Sequence, residues 1–314
     1  MTYNAILNKN KEILLDVVNK EKKNINYSDL SKKTGTSVKY LKSIENNMFE
    51  KNLNGKFLFV RHGLTEFNKI QNETHSESIE FIGEYSDAVL SQEGIAQAIN
   101  AQKFINNIKI EKVYCSPLKR ALETCLKIFE SHPNKDNIII EVFPLVTEFL
   151  NICYDFPNSI EENKKIYNMN SKVKFNWKSF EEIFGEKQNL FFLSYLDNLN
   201  EEEYNKFYKI FEKANKNKTM DKAIEELVKY KKENNISTLE SYKHIFNRTQ
   251  EFKKYLQEKH SESIDDLSQK IIIVTHGGFI KFSTSKSVLN QKEINDWPKD
   301  CCFADNCEFI SVNI

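Results

Sequence analysis

Two short apolar runs, Phe57-Leu58-Phe59-Val60 and Ile271-Ile272-Ile273-Val274, constrain the fold of this chain more than anything else in it. They are apolar at every position instead of every second one, and too short to stand as helices. A strand reads this way when both faces of its sheet are covered, as in the parallel sheets of α/β proteins. Helical periodicity lies between the two runs. Ser91 is placed to cap a helix reaching Ile105. Leu118, Ala121, Leu122, Cys125, Leu126 and Phe129 share one face of a second helix, and Tyr242, Ile245, Thr249, Phe252 and Leu256 line a third over Ser241–Gln257. Further strands are predicted just before Cys115 and over Asn137–Phe143. Alternating strands and helices predict an α/β fold, a three-layer α/β/α sandwich around a mostly parallel central sheet.

The two runs end alike, in Arg61-His62-Gly63 and in Thr275-His276-Gly277-Gly278. Ligands of open α/β sheets bind beyond the carboxyl ends of the strands, so histidines at two such ends are placed to meet at one point. A lone histidine is more often structural than catalytic. A pair at strand ends, with glycines that let backbone approach a ligand closely, is a different case. Composition adds one fact: among 45 basic residues only Arg61, Arg120 and Arg248 are arginine. A chain that uses lysine almost everywhere keeps arginine where a planar, two-pronged donor is hard to replace. Arg120 stands in Ser116-Pro117-Leu118-Lys119-Arg120-Ala121, where Pro117 presets the first turn of a helix. The bland reading is an ordinary helix start; the other is an anion site built from free amides and a guanidinium. Two arginines and two histidines gathered at strand ends make a poor protein interior and a good phosphate cage.

Arg61-His62-Gly63-Leu64-Thr65-Glu66-Phe67-Asn68 resembles the R-H-G-x-[ST]-x-x-N signature of the histidine phosphatase superfamily, the phosphoglycerate-mutase-like enzymes. Asp87-Ala88-Val89-Leu90-Ser91 with Gly94 and Gln97-Ala98 is similar to the next block of that family. Ser116 to Thr124 resembles the one after, and Thr275-His276-Gly277-Gly278 the last. Four ordered blocks over about 55–314 imply a phosphoglycerate-mutase-like catalytic domain. The resemblance implies that His62 is the nucleophile that becomes phosphorylated. It implies a phosphate clamp of Arg61, Arg120 and His276, Gly277 at the substrate, Asn68 bonding phosphate and orienting the loop, and Thr65 in support. Physically this is coherent, because a neutral imidazole can attack phosphorus in line while fixed donors stabilise the charge on the equatorial oxygens. Those donors meet the phosphoryl charge, so neither a metal nor another cofactor is expected.

The leaving alcohol needs a proton, and the family takes it from a carboxylic acid shortly after the third block. Glu148, in Leu145-Val146-Thr147-Glu148-Phe149-Leu150, is the residue that corresponds, with Asp155 as the alternative. A cofactor-dependent mutase of the family carries a Glu-Arg-x-Tyr-Gly segment here, and Thr147-Glu148-Phe149-Leu150-Asn151 lacks that Arg and Tyr. Cys153-Tyr154-Asp155, Phe175-Asn176-Trp177 and the closing Asn306-Cys307-Glu308 resemble instead a branch of presumed phosphatases. The expectation is therefore a metal-independent phosphomonoester hydrolase. A phosphoglycerate-type mutase and a non-enzymatic phosphate-binding scaffold are the alternatives.

The rest of the chain reads more plainly. Residues 1–54 suggest a helical extension with a helix-turn-helix look about Thr34-Gly35-Thr36; its ten lysines against six acids would support only weak contact with nucleic acid. Residues of about 170–240 suggest a helical insertion that shapes the pocket as a lid, with one helix marked by Tyr204, Phe207, Tyr208 and Phe211 and another by Ile224, Leu227 and Val228. His75 is a candidate for the pocket mouth; His132, His244 and His260 read as solvated; Arg248 reads as the partner of an acid. The formal charge is zero, so no global field recruits nucleic acid or a membrane surface. No run of about 18 apolar residues is present to span a bilayer. Six cysteines without Cys-x-x-Cys spacing read as free thiols of a cytoplasmic protein. The implied partner is a small phosphorylated substrate or a phosphopeptide.

Overall fold

The computed structural model describes residues 53–74, 76–169, 172–285 and 301–314. The chain divides into two compact units, Met1–Asn54 and Gly55–Ile314. The helices and turn expected within residues 1–52 lie outside the described residues, as does His75.

In the second unit the two apolar runs become the middle of a six-stranded sheet. Its strands are β1 (Phe57–Arg61), β2 (Lys109–Cys115), β3 (Ile139–Val142), β4 (Lys174–Asn176), β5 (Gln269–Thr275) and β6 (Phe309–Val312), in the order β4-β3-β2-β5-β1-β6. Only β6 runs antiparallel to its neighbour. The helices described are α1 (Glu66–Thr74), α2 (Gln92–Ile105), α3 (Lys119–Phe129), α4 (Ile160–Met169), α5 (Lys178–Phe184), α6 (Glu201–Asn217), α7 (Met220–Glu233), α8 (Tyr242–Lys259) and α9 (Gly277–Thr284).

The pleat explains why residues 57–60 of β1 and 271–274 of β5 are apolar at every position. Phe57, Phe59, Ile271 and Ile273 share a core with Phe252 and Leu256 of α8 and Phe279 and Ile280 of α9. Leu58, Val60, Ile272 and Val274 point to the opposite face and are equally buried. That face is covered by α2 and α3 through Ala98, Ala101, Leu122 and Phe129. Burying each large side chain in such a layer contributes roughly 1.5–3 kcal/mol, which neither face could gain with a polar residue. Helix starts follow the sequence closely. Ser91 Oγ accepts from Gly94 N at 3.0 Å to cap α2, and Ser241 Oγ accepts from His244 N at 3.0 Å to cap α8. Asp87 Oδ1 accepts the amide of Lys119 at 2.7 Å, closing the start of α3.

Register places the chemistry. Arg61 lies opposite Thr275 and Cys115 opposite Val274, so the residues that follow, His62, Ser116 and His276, leave the same end of the sheet side by side.

Two expectations need correction. The 170–240 segment is not wholly helical, because β4 adds to the sheet edge beside β3. Val173 and Phe175 turn inward and Lys174 outward, a two-residue period hidden in a lysine-rich stretch. His132 and His260 are buried, not solvated. His132 lies 3.2 Å from the Ile108 carbonyl, while His260 bridges Glu111 (2.7 Å) and Tyr114 (3.0 Å). His244 is half-buried against Glu240 at 2.9 Å. The six cysteines are free thiols. Among the described residues no helix is long and apolar enough to cross a membrane.

Candidate active site

His62 follows β1 directly, and its amide continues the sheet ladder to Thr275 O at 3.0 Å. Its ring Nδ1 lies 2.8 Å from the Gly63 carbonyl. A carbonyl can only accept, so Nδ1 carries the proton and the lone pair sits on Nε2. Burial, then the charges of Arg120 and Arg61, hold the His62 pKa well below its ordinary value, so the ring is neutral at physiological pH. The loop beneath it is tied down by the flanking motifs. Gly63 N donates to Thr124 Oγ1 and Leu64 N to Gln97 Oε1, each at 2.9 Å. Leu64 O accepts from the amide and the hydroxyl of Ser91. Gly94 allows this contact, since a Cβ there would lie 2.0 Å from Leu64 O.

Two guanidinium groups flank the ring. Arg120, in the first turn of α3, is fully buried and stacks on Tyr154 at 3.9 Å. Its Nε donates to His276 Nδ1 at 3.2 Å and its Nη1 to Tyr154 O at 2.9 Å, while its buried Nη2 has no partner. Arg61 donates through Nη1 to Ala304 O at 3.1 Å, and its buried Nε has no partner. A buried donor left unmade costs about 1–3 kcal/mol, more when charged, so two of them beside one histidine mark a place built for an anion. His276, whose ring centre lies 5.2 Å from that of His62, accepts on Nδ1 and so donates from Nε2 to Ser116 Oγ at 2.7 Å. Burial and the Arg120 charge keep it neutral as well. Asn68 Oδ1 receives the hydroxyls of Thr65 (2.9 Å) and Tyr154 (3.1 Å), which leaves its amide N–H groups as donors.

Glu148 comes from the loop after β3. Its Oε1 accepts from Phe149 N at 2.9 Å and its Oε2 lies 4.0 Å from His276 Nδ1. Gly278 makes room for it, since a Cβ there would fall 2.4 Å from Oε1. These groups open into a cavity of about 530 Å³ whose outer part is lined by Glu80, Asn151, Thr238, Tyr242 and Lys281 among others. Asp155 also lines it, but its Oδ2 accepts the amides of Asn151 (3.1 Å) and Ile152 (2.9 Å). Burial, and then the Glu148 charge, push Asp155 up to about 7. His62, Glu148 and His276 offer ligand atoms within 4.8 Å of one another, the spacing of a three-ligand cation site. The charges argue otherwise. Both nitrogens of His276 are taken by Arg120 and Ser116, and two guanidinium groups stand beside the histidines.

Residues 57–149, from β1 through Glu148, match the histidine phosphatase superfamily, branch 1. That segment belongs to the family. A probable phosphatase of Schizosaccharomyces pombe is 30% identical over 103 residues, which make up 32% of this chain and 44% of the relative. The chain thus spans less than half the length of that curated relative. Among solved structures, mycobacterial glucosyl-3-phosphoglycerate phosphatase is 15% identical over 81% of this chain and 87% of its own, with a TM-score of 0.41. Phosphoglycerate mutase from Bacillus anthracis is 15% identical over 82% and 88%, with a TM-score of 0.38.

The histidine phosphatase segment supplies only part of the constellation. Arg61, His62, Asn68 and Glu148 come from it, and Gly277 joins them in the cavity lining from α9. Arg120 and Thr65 stand behind that surface, bonded to residues that line it, and His276 stands behind it too, bonded to Arg120 and Ser116 with its Nδ1 4.0 Å from Glu148 Oε2. Several partners were not assigned from sequence. Tyr154 stacks on Arg120 and bonds Asn68, Ser116 fixes the His276 tautomer, Asn306 donates to His62 O at 2.8 Å, and Lys281 lines the mouth. Ser116, Tyr154 and Asn306 stand inside the motif segments of the sequence, whereas Lys281 carries no local signal. Arg248 pairs with Glu240 at 2.9 Å, as an arginine outside the motifs was expected to do with an acid.

Proposed function

We propose that this chain is a phosphomonoester hydrolase that works through a phosphohistidine on His62 without a metal. The observation that carries the reading is the pair of unpartnered donors, Arg61 Nε and Arg120 Nη2, set beside a neutral histidine whose Nε2 lone pair is free.

In the first half-reaction the phosphate of the ester lies against Arg61, Arg120 and the Asn68 amide. His62 Nε2 attacks phosphorus, the P–N bond forms as the P–O bond to the leaving group breaks, and Glu148 gives its proton to the departing oxygen. Holding the nucleophile neutral removes the need for a base, and the arginines stabilise charge on the transferring oxygens. In the second half-reaction a water attacks phosphorus, its proton goes to the Glu148 carboxylate, and inorganic phosphate leaves with His62 restored. Substrate is bound under the insertion, whose Ser237 and Thr238 line the cavity; this supports its role as a lid.

The test uses para-nitrophenyl phosphate with the protein in excess chelator, and the His62→Ala variant as control. Turnover that survives chelation and disappears in the variant is expected. Rapid quenching should trap an acid-labile, alkali-stable phosphoryl group on His62. Turnover lost on chelation, or undiminished in His62→Ala, would overturn the mechanism; transfer of the trapped group to a second alcohol instead of water would make the chain a mutase.

A further inference from the structure

The third arginine lies outside the phosphate clamp, and it holds the loop that carries Glu148. Arg248 projects from α8, is 3% exposed, and uses all five of its N–H donors. Nε and Nη2 bond the two oxygens of Glu240 at 3.0 and 2.9 Å. Nη1 bonds the carbonyls of Leu145 (2.7 Å) and Thr147 (2.9 Å), and Nη2 also bonds that of Glu148 (3.0 Å). Glu240, itself fully buried, accepts Leu150 N on Oε2 at 3.1 Å and donates its own amide to Leu150 O at 3.1 Å. Thr275, next to His276, bonds the carbonyl between them, Val146 O, at 2.6 Å. Three residues therefore donate to the carbonyls of 145, 146, 147, 148 and 150 in a stretch without helix or strand beyond Val146.

Glu240 is gripped from the other side by the 170–240 segment. Asn198 Nδ2 donates to Thr238 O and Oγ1 at 2.8 and 3.0 Å, and Asp197 accepts the amide and hydroxyl of Ser241 at 2.6 Å each. The residue that anchors the acid loop thus sits between two residues held by the insertion, two positions beyond the Ser237 and Thr238 that line the cavity. A buried ion pair is a weak source of stability, since well-packed apolar residues do as well or better. Its fixed fork is suited to holding backbone in one geometry.

We infer that Glu240 and Arg248 are positioning residues for the general acid, holding the 145–150 loop so that Glu148 stands at the leaving oxygen and coupling that placement to the insertion. The inference rests on the role given to Glu148 under Proposed function. Neither residue touches substrate; misplacing a catalytic group by about 1 Å from a distance can lower a rate by about 100-fold.

The experiment compares Arg248→Lys, Glu240→Gln and Glu148→Gln in the full chain on two esters, an alkyl phosphate and para-nitrophenyl phosphate. The second has a leaving group that needs no proton. Both positioning variants should lower kcat/KM on the alkyl ester by about 10- to 100-fold and change kcat/KM on para-nitrophenyl phosphate by less than about 3-fold, since kcat/KM reports the first half-reaction and not the hydrolysis of phosphohistidine that the two esters share. Glu240→Gln keeps side-chain volume and remains a readout should Arg248→Lys fold poorly. Combined with Glu148→Gln it should add little, because a loop with no acid to place has nothing more to lose. The signature present in Glu148→Gln but absent from both others, or equal losses on both esters, would overturn the positioning role alone. Its absence from Glu148→Gln would overturn the acid assignment and the positioning role with it.

Discussion

Replacing Gly278 with alanine should damage catalysis while leaving the fold intact. The added Cβ would lie 2.4 Å from Glu148 Oε1 and 3.1 Å from Phe149 Cβ. A carbon–oxygen contact needs at least 3.0 Å and is comfortable near 3.4 Å, so Oε1 must retreat by about 0.6 to 1 Å. That atom ends a flexible side chain, and moving it costs little in stability. The Phe149 contact needs only a few tenths of an ångström. Against these, Gly278 lies in the first turn of α9, where alanine gains about 0.5–1 kcal/mol over glycine. The stability change should therefore fall within about 1 kcal/mol of zero, read by urea denaturation. The acid, displaced by most of an ångström from the leaving oxygen, should act about 10- to 100-fold more slowly, or roughly 1.4–2.7 kcal/mol in barrier. Steady-state kinetics on an alkyl phosphate should show that loss in kcat/KM, which reports the first half-reaction, while kcat/KM on para-nitrophenyl phosphate keeps most of its value. A variant with unchanged alkyl phosphate turnover would refute the placement of Glu148. One that loses both substrates equally would refute the claim that the damage is confined to proton transfer.

Two further predictions follow from the charged groups. The Arg61 charge helps hold His62 below its ordinary pKa, so Arg61→Gln lets it rise and the acid limb of kcat/KM moves to higher pH; a pH–rate profile that shifts downward, or not at all, contradicts this. Asp155 rises from 3.8 to about 7 on folding, so the native state binds more protons than the unfolded chain between those values and Asp155 makes stability fall as pH rises from about 4 to 7. His62 and His276, both lowered, act in the opposite sense, so the test is a difference: Asp155→Asn should gain stability relative to the parent at pH 7.5 and not at pH 4.5, by urea denaturation at each pH.

The parts of this site readable from sequence are those in which one residue type has a single physical use. The fully apolar runs 57–60 and 271–274 announced burial on both faces, and a histidine just beyond each strand gave the sheet end at which to look. Scarcity drew attention to the arginines: the charges of Arg120 and Arg61 act on His62, and Arg248 pairs with an acid, Glu240, as its place outside the motifs suggested. Contacts whose partners are distant in the chain were not legible. Tyr154 meets Arg120 and Asn68 across separations of 34 and 86 residues, and the Cys153-Tyr154-Asp155 segment that marks it out carries no sign of either partner. The histidines misjudged as solvated fail for the same reason. His260 is buried only because Glu111 and Tyr114, on a strand about 150 residues earlier, come to meet it. The strand in the insertion was hidden differently, by a three-residue length too short to set a period against its lysines.

The interior beneath the cavity contains what folding normally avoids: two cationic side chains with unmet donors and two histidines stripped of solvent. Each is tolerated through a specific arrangement. Stacking on Tyr154 and bonds to two acceptors fix Arg120 so that its unmet Nη2 cannot swing elsewhere. Gly63 and Ser116 fix the proton positions on the histidines, while burial and the Arg120 charge keep either ring from becoming cationic. An apolar replacement at any of these positions would relieve strain on the fold and remove the feature that makes it selective. A neutral guest can accept from the two guanidinium groups but leaves their charge unbalanced, and a cation adds repulsion. A dianion with several oxygens satisfies both donors at once and sits within reach of a nitrogen lone pair. If the chain acts on phosphomonoesters as proposed, the cost of two unmet donors in the empty pocket and a preference for a phosphoryl group have one source, Arg61 and Arg120.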